Sequence, residues 1–135
     1  MRIVLDTNVF ISGVFFSGPP FEILNAWRRS EIQLVVSVEI LDEYRRVGDR
    51  LSTSHPGVDI APFLRLVAVH GEIVLAPSLA EAVCADPSDD MFFACALAAG
   101  CDVIVSGDKH LHRASGYGGV EVLRPREFVE RFLAS

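Results

Sequence analysis

Two acids with matching surroundings carry the first chemical signal. The apolar run Ile3-Val4-Leu5 stops at Asp6, and Asp102-Val103-Ile104-Val105-Ser106-Gly107 runs straight into Asp108. A carboxylate at the tip of a buried strand is costly unless a cation or hydrogen-bond donors compensate it. An α/β protein uses strand ends in this way to line the crevice beyond its sheet. Each acid also has a local reading, as the first residue of a turn or the cap of the next helix. The recurrence of one pattern a hundred residues apart favours a shared, metal-dependent site.

Two further acid regions are candidates to join them. Ile40, Leu41, Tyr44, Val47 and Leu51 form an apolar stripe at helical spacing. At about 100° per residue, Asp42 and Glu39 point away from it, whereas Glu43 falls on its flank and can lean into a crevice. The competing reading of Glu43 is an exposed partner for Arg46 at i+3. The run Asp86-Pro87-Ser88-Asp89-Asp90 precedes Met91 to Ala99, a stretch apolar on every side. A buried helix carries its N-terminus inward, where Asp90 would need a partner. Asp89 reads as the cap and Asp86 as the residue that shapes the turn. Four carboxylates in one pocket repel one another and raise their own pKa values. A hard divalent cation removes the conflict, and an all-oxygen site suits Mg²⁺ or Mn²⁺ better than zinc. Such ions serve hydrolysis of phosphoryl esters.

The elements that must position these acids alternate along the chain. Strands are predicted at residues 3–5, 33–36, 72–75, 102–106 and 120–123. Helices are predicted at 9–16, at 21–29 behind Pro19-Pro20, from 38 to about 51 behind Ser37, and from Asp59 to about His70. Two more run from Ser88 or Asp89 to Ala99 and from Pro125 to about Leu133. Residues 52–57 and the glycines at 116, 118 and 119 read as loops. This alternation predicts an α/β fold with a mainly parallel sheet between helix layers, as a single domain over residues 1–135.

Composition limits the rest. Half of the 135 residues are hydrophobic, 22% are charged and the net charge is −6, which describes a globular chain that does not grip nucleic acid by bulk attraction. Cys84, Cys95 and Cys101 are odd in number, without a C-x-x-C pair, and suit buried thiols in a reducing cytosol. The longest apolar stretch, residues 91–99, is about half of the roughly 18 residues a membrane helix needs. Asp6 and Asn8 interrupt any signal-peptide-like region. A soluble, cytoplasmic protein is expected.

In order, LDTNV, EILDEY, DPSDDMFFACALAAG and DVIVSGDKHL resemble the PIN domain, most closely its small prokaryotic members, which include VapC-type toxins. The resemblance implies a three-layer α/β/α sandwich and a Mg²⁺- or Mn²⁺-dependent endoribonuclease acting on single-stranded RNA. It places the acidic quartet on Asp6, Glu43, Asp90 and Asp108. Thr7, Asn8 and Ser106 would be helpers, with Asp86 in a supporting place. It further implies a protein antitoxin and a homodimer. His110 stands where many relatives carry another acid, so one well-held ion is expected. Lys109, His110, His112 and Arg113 are candidates to meet phosphates, with Arg28, Arg29, Arg45 and Arg46 as a possible extension. Trp27 and Tyr117 could stack on bases, but a lone aromatic near a helix end or a Gly-rich turn is usually packing. Two rivals remain open: a phosphatase with a strand-end Asp nucleophile, which would want an acid where Asn8 stands, and a catalytically silent binding module of the same fold.

Overall fold

The computed structural model describes residues 1–133. In chain order the elements are β1 (Arg2–Leu5), α1 (Thr7–Phe15), α2 (Pro19–Arg28), β2 (Gln33–Ser37), α3 (Val38–Ser54), α4 (Ala61–His70), β3 (Glu72–Val74), α5 (Asp90–Ala99), β4 (Val103–Val105), α6 (Lys109–Arg113), β5 (Glu121–Leu123) and α7 (Pro125–Phe128). The five strands form one sheet in the order β3-β2-β1-β4-β5, with every pair parallel. Helices cover both faces in a three-layer α/β/α sandwich. Strands buried on both faces need continuous apolar runs, and Ile3 to Leu5, Leu34 to Val36 and Val103 to Val105 are all buried.

Strand order fixes where a site can form. The chain moves outward from β1 through β2 to β3, then returns to the other side of β1 to lay down β4 and β5. The connections therefore diverge between β1 and β4, leaving a crevice beyond their carboxyl ends. Leu5 pairs with Val105, so the next residues, Asp6 and Ser106, emerge side by side at that crevice. The Asp6 N–H donates to the Val105 carbonyl at 3.0 Å and the Ser106 N–H to the Leu123 carbonyl at 2.9 Å.

Two helices are tied to this edge. Ser37 caps α3 through an N–H donated by Ile40 at 3.3 Å, as the sequence predicts. Further along α3, the Tyr44 ring stacks on Phe10 of α1 with centroids 4.2 Å apart and planes 7° from parallel. The Tyr44 hydroxyl donates to the Leu5 carbonyl at 2.5 Å. On α1, a Cβ at Gly13 would stand 2.6 Å from Leu24 and 2.8 Å from the Pro20 carbonyl. Only glycine allows α2 so close.

The elements differ from expectation at their ends. Helix α3 continues to Ser54, one turn past the predicted stop. Residues 87–89 form a 3₁₀ turn before α5. The turn-rich stretch after Asp108 contains the short α6, because the Asp108 carboxylate caps it. The C-terminal helix changes to π-helical winding over Val129–Leu133. Among the described residues no single helix is long and apolar enough to cross a membrane; α1 and α2 reach that length only together, across an 87° bend.

Candidate active site

A small cleft of about 80 Å³ lies beyond the ends of β1 and β4. Its walls are Asp6, Thr7 and Asn8 from the start of α1, Glu43 and Val47 from α3, Asp89 and Phe92 at the head of α5, and Asp108 after β4. Four of these eight side chains are carboxylates contributed by four separate segments.

Asp6 is almost fully buried and has two partners. One oxygen accepts the Val9 N–H at 2.8 Å, capping α1, and the other accepts the Ser106 hydroxyl. Its cap role and its place in the cleft therefore coexist. Burial raises its pKa, against the opposing Ser106 and Val9 hydrogen bonds; the nearby Asp108 and Glu43 charges add to the rise. The Ser106 oxygen also accepts the Asp108 N–H at 2.9 Å, so one hydroxyl links two acids. Asp108 in turn caps α6 by accepting the His110 N–H at 2.7 Å.

Glu43 takes its partner from α1. Thr7 donates its hydroxyl to Glu43 at 2.8 Å, whereas Arg46 pairs with Asp42 at 3.2 Å. Glu43 leans inward as its helical angle suggested, and its i+3 pairing with Arg46 is replaced by a neighbour at i−1 of Glu43.

The third acid region differs from expectation. Asp89, read from the sequence as a cap, lines the cleft beside Phe92 and makes no side-chain cap to α5. Its pKa is pushed up to about 6, first by burial and then by Asp108, Asp86, Asp6 and Glu43. Asp90 is turned away from the cleft. Its two oxygens accept the Cys84 N–H at 2.7 Å and the Val83 N–H at 3.1 Å. Burial alone would raise its pKa, but these amides outweigh it and the net shift is downward. The partner that Asp90 requires is thus the preceding loop, not the other three acids. Helical angle could not separate the two neighbours, because α5 is apolar all round and offers no polar face for reference. Asp86 shapes its turn, accepting the Ser88 N–H at 3.0 Å and the Ser88 hydroxyl at 2.8 Å.

The cationic candidates stand outside the cleft. Lys109, His110 and Arg113 lie on α6, whose N-cap is Asp108, and His112 reaches the Ser106 carbonyl through Nε2 at 2.6 Å. Arg29 pairs with Glu31, and Arg45 with Asp42 and Asp49. Trp27 is buried and Tyr117 packs against Phe93 with centroids 5.9 Å apart, so packing accounts for both. The three cysteines are free and buried.

A hard divalent cation fits the chemistry of this donor set: four carboxylates face one small space, and Asp6 and Asp89 are raised in pKa by burial first and then by the charges of neighbouring acids, Asp108 and Glu43 among them. Among the described residues no three acidic, histidine or cysteine side chains are drawn together as a ready-formed metal centre. Asp6, Glu43 and Asp108 are each held instead by protein donors.

No curated protein matches the chain. A family profile described as PIN domain matches residues 2–110, from β1 into α6, and takes in all four cleft acids. PIN domains are generally nucleases, usually use divalent metal ions and bind RNA. The parallel sheet, the crevice between β1 and β4 and a match across most of the sequence agree: the chain belongs to the PIN domain family.

Proposed function

We propose that the cleft hydrolyses phosphodiester bonds within single-stranded RNA, leaving 5′-phosphate and 3′-hydroxyl ends. The observation that carries this reading is the meeting of Asp6, Glu43, Asp89 and Asp108 around one small space. These four would hold a Mg²⁺ or Mn²⁺ ion, with Asp89 in the place the sequence suggested for Asp90. When bound, the cation would neutralise the carboxylates, polarise the phosphoryl group and lower the pKa of an attacking water. Ser106 holds Asp6, and Thr7 holds Glu43, in fixed orientation. Before a cation binds, Asp89, with its pKa pushed up to about 6, keeps its proton below that pH. Asn8, exposed at the rim, offers an amide to the substrate.

The decisive experiment follows a labelled single-stranded RNA with Mn²⁺ and compares the protein with Asp6→Asn. Metal-dependent cleavage lost in the variant is expected. Equal RNA loss in both preparations would reject the assignment. Failure to cleave RNA together with phosphate release from small monoesters would favour the phosphatase rival.

The same reading extends to biology. We assign the protein to the toxin half of a toxin–antitoxin pair, acting in the cytoplasm as a homodimer and silenced by a small protein. Support comes from the ordered motifs shared with small prokaryotic PIN proteins and from exposed apolar side chains, Val69, Ile73 and Leu75 among them. Expression should arrest growth, and Asp6→Asn should restore it. Light scattering tests the dimer.

A further inference from the structure

Asp90 was singled out by its sequence yet takes no part in the acid cleft. It is one wall of a second, larger hollow of about 470 Å³ that shares Glu43 with that cleft. Ser37, Glu39 and Arg46 border it on the α3 side, Met91 borders it on α5, and Ser78 and Glu81 border it on the connecting loop. Asp90 latches that loop to the head of α5 through the Val83 and Cys84 amides. The volume is within the range of small-ligand pockets, about 300–1,000 Å³.

We infer that this hollow receives the nucleobase beside the scissile phosphate and selects bases that carry an exocyclic amino group, guanine first. The inference rests on the RNA-cleaving reading of the adjoining cleft. Charge decides which part of a nucleotide enters. Glu39, Glu43, Glu81 and Asp90 all line the space, and its one cation, Arg46, is already paired with Asp42. A phosphate is repelled from such walls, whereas a base offers its flat face to Met91 and its N–H groups to carboxylates. Both Asp90 oxygens are taken by the loop amides, and Glu43 is tied to Thr7 through one oxygen and also faces the acid cleft, so the exposed Glu39 and Glu81 are the acceptors assigned to the base. The Watson–Crick edge of guanine presents two adjacent donors to a carboxylate, and uracil presents one between two acceptors. Single-stranded RNA is read in this way, through unstacked bases bonded on their edges.

The test uses short oligoribonucleotides, identical except for one guanosine, inosine or uridine beside the cut, with Mn²⁺. Guanosine should be cut with a KM at least tenfold below that of uridine, and inosine, which lacks the amino group, should fall between them. Ala80→Trp, at the rim of the hollow, should raise KM for the guanosine substrate about tenfold with kcat within twofold. The exposed change Glu39→Gln should flatten the preference without disturbing the fold. RNA cleavage that shows no base preference, or an Ala80→Trp variant with unchanged KM, would overturn the inference while sparing the active site. Absence of any cleavage by the unaltered protein would overturn both.

Discussion

Ser106 and Asp6 lie 100 residues apart in sequence, yet the Ser106 hydroxyl donates to the Asp6 carboxylate at the ends of neighbouring strands. The hydroxyl opposes the rise in pKa that burial imposes on Asp6. Ser106→Ala should therefore raise the Asp6 pKa further, move the acid limb of the pH–rate profile to higher pH, and slow cleavage by about 10- to 100-fold. Loss of a hydrogen bond to a buried charged group should cost about 1.5–3 kcal/mol in chemical denaturation. An unmoved acid limb would show that Asp6 does not set it.

Asp89 gives the molecule a pH-dependent stability of definite sign. Its pKa is about 6 in the fold against 3.8 for the free group, so the folded chain binds this proton more tightly. The resulting stability is complete below about pH 3.8 and is lost as pH rises through about 6. A two-unit shift is about 3 kcal/mol, which solvent screening of this part-exposed group reduces to about 1 kcal/mol. Asp89→Asn should thus melt higher than the unaltered protein at pH 8 and equally at pH 3.5. Mg²⁺ should stabilise the unaltered protein at pH 8 and the variant less, and the variant should cleave RNA more slowly than the unaltered protein at every metal concentration. Thermal melts at the two pH values check the sign.

Asp90 should behave in the opposite way. Its pKa is lowered by the Cys84 and Val83 amides once they outweigh burial, so its contribution is present above the usual carboxylate range and fades as pH falls. Asp90→Ala should release the loop at a cost of about 1–3 kcal/mol at pH 7. Faster amide exchange at Val83 and Cys84, with slower exchange retained in β1 and β4, is the expected signature. Protection unchanged at both amides would contradict the latch.

Tyr44 is a mechanical link between α3 and β1, since its hydroxyl reaches the carbonyl of Leu5, the residue before Asp6. Tyr44→Phe keeps the stack on Phe10 and removes only that bond. A stability loss of about 1 kcal/mol is expected, with a fall in kcat larger than any change in KM, because Asp6 loses part of its support. A change in KM alone would argue against it.

Local physics made much of this legible in the sequence. Apolar runs that end in an acid identified β1 and β4, the helical stripe put Glu43 on its flank as a candidate to lean inward, and Ser37 before an amphipathic run marked the start of α3. These features depend on neighbours within a few residues, where side-chain period and capping chemistry decide the conformation. The alternation of elements likewise implied a parallel sheet, because parallel strands require crossovers.

Tertiary structure decided the rest. Whether Asp89 or Asp90 faces the cleft depends on how α5 is rotated against β1, β2 and β4, and a helix apolar on every side carries no internal mark of that rotation. Which partner Glu43 takes depends on Thr7, 36 residues away. Strand order brought Asp6 beside Ser106, and no spacing along the chain encodes that adjacency. Sequence determined the kinds of element and the acids that end them; long-range packing, which sums contacts remote along the chain, determined which acids share one space.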